Sequence, residues 1–150
     1  MVCAGVLAGC GGHTGEDAGP PAMTAGHNAG DVAFVEALIP HHEAGIKLAQ
    51  AVAKRPETQV LAEAIISTQR DEVTRMTGWL AKWGVTAALP SVPATPKGDP
   101  VKALAAHQEE AVTLAQREQA QGSNPTALAF AKQVIESRTA EASELRAAVS

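Results

Sequence analysis

The chain repeats itself, and the repeat is helical. His41-His42-Glu43-Ala44-Gly45-Ile46-Lys47-Leu48-Ala49 recurs as His107-Gln108-Glu109-Glu110-Ala111-Val112-Thr113-Leu114-Ala115. Downstream, Ile65-Ile66-Ser67-Thr68-Gln69-Arg70-Asp71-Glu72 recurs as Val134-Ile135-Glu136-Ser137-Arg138-Thr139-Ala140-Glu141. The spacing is slightly longer in the second copy, and the extra residues are expected in its turn. Each copy carries apolar residues at helical spacing on two segments, so each reads as a helix hairpin that cannot bury its own apolar faces. Two such hairpins closing on one another make a four-helix bundle. The sequence has no Tyr and only 3% aromatic residues, so its core must be built from Ala, Leu, Val and Ile. That core suits closely packed helices rather than a β-sandwich. The expected fold is all-α, a bundle over residues 29–150, with hairpins 29–84 and 99–149 joined by a Pro-rich linker over 85–98.

Local signals place the helix ends. Asn28 can cap the first helix, with Asp31 in its first turn. Pro56 is expected to start the second helix, after a short turn at Lys54-Arg55. Gly84 should end it. Asp99-Pro100 and Asn124-Pro125 each read as a cap followed by proline at the first helical position. Pro40 lies inside the first helix pattern, where a kink and a freed carbonyl are expected.

The first helix, about 31–54, has Glu36, Glu43, Lys47, Gln50 and Lys54 on one stripe. Phe34, Leu38, His41, Gly45, Leu48 and Val52 lie opposite. His41 is therefore expected on the core face. His42 falls on its flank, with Val35, Ile39, Ile46 and Ala49. The second helix has Leu61, Ile65, Gln69, Glu72, Met76, Leu80 and Trp83 opposite its polar stripe. Antiparallel pairing brings His41, His42, Glu72 and Met76 to within a turn or two of one another. Buried imidazoles need partners for both ring nitrogens, so a functional layer is expected here. In the second copy His107 and Glu141 keep the places of His41 and Glu72. His42 becomes Gln108, Gln69 becomes Arg138, and Met76 becomes Leu145.

A net charge of −4 gives no electrostatic reason to expect nucleic acid. No Ser/His/Asp signature or Gly-rich phosphate loop points to catalysis. Residues 1–10 end in Leu7-Ala8-Gly9-Cys10, which resembles a truncated lipoprotein signal with Cys10 as the lipidated residue. Residues 11–28 read as a tether, so attachment to the membrane is expected only through a lipid anchor, and the bundle is expected outside the cytoplasm, lipid-anchored or secreted. Removing the signal would take Cys3 with it. His13, Met23 and His27 in the tether could capture a soft metal ion.

The run Asp31-Val32-Ala33-Phe34, Ile39-Pro40-His41-His42-Glu43-Ala44, Ile65-Ile66, Gln69, Glu72, Met76 and Trp79-Leu80 resembles the bacterial family called domain of unknown function 305, which includes CopM-like copper-binding proteins. The match is strong over about 31–83 and weak over 101–149. The resemblance implies a ferritin-like bundle, secreted or lipid-anchored, and in some members a link to extracytoplasmic copper. Three readings of the residues compete. One is a copper site on His41, His42, Met76 and Glu72, with Gln69, His107 and Glu141 supporting it; imidazole and thioether favour copper. The second is a ferritin-like redox centre joining His41, Glu72, His107 and Glu141, although the Glu-x-x-His motif of such bundles is absent. The third is a scaffold or adaptor in which His41–Glu72 and His107–Glu141 are structural pairs.

Overall fold

The computed structural model describes residues 26–87, 89 and 97–150. Four helices account for the ordered architecture: α1 (Ala29–Val52), α2 (Gln59–Trp83), α3 (Pro100–Gln121) and α4 (Pro125–Ala147), with no strand among the described residues. The helix starts follow the local chemistry. Asn28 and Asp31 form a reciprocal capping box at α1, and Asp99 and Asn124 accept from the first amides of α3 and α4, each followed by proline. Gly84 ends α2 in the left-handed region at φ 69°.

Two local expectations are corrected. Pro56 does not begin α2. It lies within a turn over residues 53–58, in which the Thr58 hydroxyl donates to the Val52 carbonyl at 3.0 Å. The residues that lengthen the second copy are not in its turn, which is the shorter of the two at residues 122–124. They extend the end of α3 and the start of α4 toward that turn, where helical backbone bonds are satisfied without a longer loop. Helix α1 continues through Pro40 without interruption.

α1 packs on α2 and on α3, and α3 packs on α4. The Asn28 side chain donates to the Gln121 carbonyl, and Arg55 pairs with Asp99 at 3.1 Å. The start of α1 thus meets the end of α3, and its end meets the start of α3, so the two run antiparallel. The hairpins are therefore related by an approximate twofold axis across the bundle, and His41 and His107 lie near that axis.

The apolar core is in two parts. One gathers Phe34, Leu38, Ile39, Met76, Trp79, Phe130 and Val134 with their neighbours. The other gathers Leu48, Val52, Ile65, Leu104 and Leu145 with theirs. On every helix polar residues lie between the two parts: His42 on α1, Gln69 and Glu72 on α2, Gln108 on α3, and Arg138 and Glu141 on α4. A polar layer thus crosses the middle of the bundle.

Candidate metal centre at the middle of the bundle

The polar layer is a connected network. His42 is fully buried, and its Nε2 lies 2.8 Å from Glu72 Oε2. Arg138, also fully buried, donates from Nη2 to Glu72 and from Nη1 to both oxygens of Glu141, at 3.0 and 3.2 Å. Gln108 donates to Glu141 and accepts from Gln69 Nε2 at 3.1 Å. Every helix contributes, and one guanidinium sits between two carboxylates.

Burial governs the charges here. It works to raise the pKa of Glu72, but the hydrogen bond from His42 and the Arg138 charge outweigh it, and Glu72 is held below its usual range. Burial holds His42 below the usual imidazole range, against the pull of Glu72. Burial pushes Glu141 up despite Arg138 beside it. With His42 neutral, Glu72 lies within reach of its Nε2, although neither ring nitrogen makes a well-aligned hydrogen bond.

A second constellation lies next to this layer, on the outer side of α1 and α3. The imidazoles of His41 and His107 stack with ring centroids 3.7 Å apart and planes 11° from parallel. His107 Nε2 lies 2.9 Å from the His41 carbonyl and donates to it, which leaves the His107 Nδ1 lone pair free. Glu110 Oε2 stands 3.6 Å from His41 Nε2 and 3.9 Å from His107 Nδ1, too far for hydrogen bonds. Both nitrogens of His41 are buried without a hydrogen-bond partner. Burial and the neighbouring His107, His42 and Arg138 charges bring its pKa down to about 3, and burial also lowers that of His107. Both rings are therefore neutral at ordinary pH, the form that ligates a metal.

Gly45 makes this approach possible. A Cβ there would collide with the Gln69 amide oxygen and crowd the His107 ring. The bare glycine thus admits groups from α2 and α3.

The two adjacent histidines are separated by the structure. Their rings are 6.3 Å apart and tilted. His42, expected on the flank, is the buried one, and His41, expected at the centre of the core face, keeps a side chain 12% exposed. Because α1 packs against two neighbours, its buried arc is wide and takes in Val35, Ile39, His42 and Ala49. The expected His41–Glu72 and His107–Glu141 pairs are likewise replaced by His42–Glu72 and Gln108–Glu141. Met76 is fully buried in the apolar cluster with Phe34 and Trp79. Glu110 was missed by the sequence reading; its three-residue spacing from His107 was the available signal. Cys10, His13 and Met23 lie outside the described residues. His27 stacks on Trp83 at 4.9 Å.

His41, His107 and Glu110 together offer ligand atoms within 4.8 Å of one another. Two neutral imidazoles and a carboxylate fit a metal ion such as Cu(II) or Zn(II), with His107 already held by its second nitrogen.

Comparisons agree with this architecture. The CopM structure in the Cu(I)-bound form has a TM-score of 0.67 at 24% identity, over 77% of this chain and 92% of that one. CopM in the apo form gives a TM-score of 0.67 at 25% identity, over 77% and 93%. A DUF305 protein from Streptomyces coelicolor, described as a candidate secreted protein, gives 0.68 at 20% identity, over 77% and 88%. No curated protein matches the chain. The profile of the family described as domain of unknown function (DUF305) matches residues 31–101 and again 99–149. A duplicated helix hairpin closed into one bundle, matched by that profile in both halves, places this chain in the DUF305 family.

Proposed function

We propose that this protein binds copper outside the cytoplasm, at a site on α1 and α3 made by His41, His107 and Glu110. The observation that carries the reading is the stacked, neutral imidazole pair with Glu110 beside it; His41, like His42, has two buried ring nitrogens without partners. Structural histidines are ordinarily hydrogen-bonded at both ends. The copper-bound forms of CopM, similar in fold, support the choice of metal. A bound ion would be held by imidazole and carboxylate, a set that suits Cu(II) better than Cu(I). Lipidation at Cys10 is part of the same proposal. It is supported by Leu7-Ala8-Gly9-Cys10 and by the fold similarity to a candidate secreted protein. No helix of the described residues is long and apolar enough to cross a membrane.

The donor set read from the sequence, His41, His42, Met76 and Glu72 with Gln69, His107 and Glu141 in support, shares His41 and His107 with this site and competes with it. Titration with Cu(II) and Cu(I), followed by elemental analysis, separates the two. His41→Ala should weaken binding at least about tenfold, by analogy with losses on disturbing ligand shells. His107→Ala and Glu110→Gln should do so as well if the α1–α3 site is correct. Loss on Met76→Leu with Glu110→Gln silent would move the site to the interior set. Copper affinity unchanged in all of these variants would favour the scaffold reading, which the ion-paired His42–Glu72–Arg138–Glu141 chain supports.

A further inference from the structure

We propose that the Arg138 guanidinium is a built-in cation that occupies the centre of the four-helix polar layer and keeps metal ions out of it. Glu72 and Glu141 are equivalent positions in the two hairpins, and each arrives from its own helix. With His42 on Glu72 and Gln108 on Glu141, they form a nitrogen-and-oxygen donor set drawn from all four helices. Such a set, converging in the core of a bundle, is how helical proteins cage a metal. Here the position between the carboxylates is filled by Arg138, which bonds to Glu72 and to both oxygens of Glu141.

The repeat shows what the centre would be without it. The residue equivalent to Arg138 in the first hairpin is Gln69, an uncharged side chain whose amide reaches only across to Gln108 in the layer. A bundle with glutamine in both places would hold one buried and one half-buried carboxylate together with no cation. Such a charge pair must protonate or recruit a positive ion. A guanidinium cannot lose its proton and offers a fixed fork of donors, so it fills the place permanently. The redox centre built on His41, Glu72, His107 and Glu141 does not fit this arrangement. Both glutamates are committed to Arg138, and both histidines face Glu110 instead.

The test uses a chain carrying His41→Ala and Glu110→Gln, so that the α1–α3 site contributes nothing and its failure is read separately. Arg138→Gln and Arg138→Lys are each added to that background. Binding is measured with Co(II), Zn(II) and Cu(II) by equilibrium dialysis, with visible Co(II) absorption as the signature of protein ligands. The Arg138→Gln chain should take up one equivalent and gain thermal stability with the ion. The Arg138 and Arg138→Lys chains should take up none. If Arg138→Gln folds only when refolded with one of these ions, that also supports the proposal. No uptake by a folded Arg138→Gln chain, equal uptake by Arg138→Lys, or failure to fold with every ion would overturn it. Glu72→Gln added to Arg138→Gln should abolish the uptake; retained uptake would place the ion elsewhere and overturn the proposal too.

Discussion

The α1–α2 hairpin and the α3–α4 hairpin have the same plan and carry different chemistry at matched positions. The first supplies His42, Gln69, Glu72 and Met76; the second supplies Gln108, Arg138, Glu141 and Leu145. The rim is unequal as well. Glu110, beside the stacked imidazoles, stands where the first copy has Ala44, so the carboxylate is present on one side of the axis only. At the far end, Glu118 is equivalent to Val52. Glu118 is buried against Asp31, whereas Val52 is part of an apolar cluster with Leu48 and Leu104. What the difference teaches is that a buried layer is neutralised by the sum of the halves. Two identical copies would have met with like charges facing each other across the axis. The second copy's single cation serves both glutamates.

The largest test of this comparison is Arg138→Ala against Gln69→Ala. Loss of the guanidinium strands the buried Glu72 and the half-buried Glu141 and should cost about 3–5 kcal/mol. Loss of the neutral Gln69 amide should cost about 1–3 kcal/mol. Urea denaturation without added metal measures both, and equal losses would break the asymmetry claimed for the layer.

A second comparison sets Met76→Ala against Leu145→Ala. Both side chains are fully buried, and each truncation should cost about 2–5 kcal/mol. Met76→Leu makes the halves alike here and should cost less than about 1.5 kcal/mol. A much larger thermal destabilisation by Met76→Leu would show that the thioether is needed for more than filling space.

The smallest effect is expected at the carboxyl pair. Burial, and then the hydrogen bond and charge of Asp31, push Glu118 from 4.5 up to about 8. Asp31 moves the other way: burial would raise it, but the amides of Asn124, Asn28 and Ser123, together with Glu118, hold it down. In the folded chain Glu118 keeps its proton after the unfolded chain has released it. Its contribution is therefore complete below pH 4.5 and is lost as pH rises through about 8. Glu118→Gln should flatten the fall in unfolding midpoint across that window and leave the more acidic range, where Asp31 titrates, unchanged. An identical pH profile in the variant would remove Glu118 from the account.

Much of the fold was written locally. Asn28, Asp99 and Asn124 each sit before residues they can cap, and Gly84 sits where only a left-handed residue ends a helix cleanly. The duplication required two hairpins, and the 3.6-residue pattern put Gln69, Glu72 and Met76 on the buried face, where they are found. Those features depend on neighbours in sequence, which a sequence displays. The site depended on neighbours in space. Whether His41 or His42 turned inward was set by the azimuth at which α1 packs between α2 and α3, and a wheel with apolar residues on both flanks leaves that angle open. Arg138 looked like a departure from the repeat and Glu110 like one more surface acid. Spacing on α3 puts Glu110 beside His107, but only antiparallel packing of α1 on α3 brings His41 to that pair, and only closure of the hairpins puts Arg138 between Glu72 and Glu141. Helix formation is a short-range matter of caps and propensity; the meeting of charges across a core is decided by long-range packing, because each helix must bury its apolar arc and the polar groups take the partners that arc leaves them.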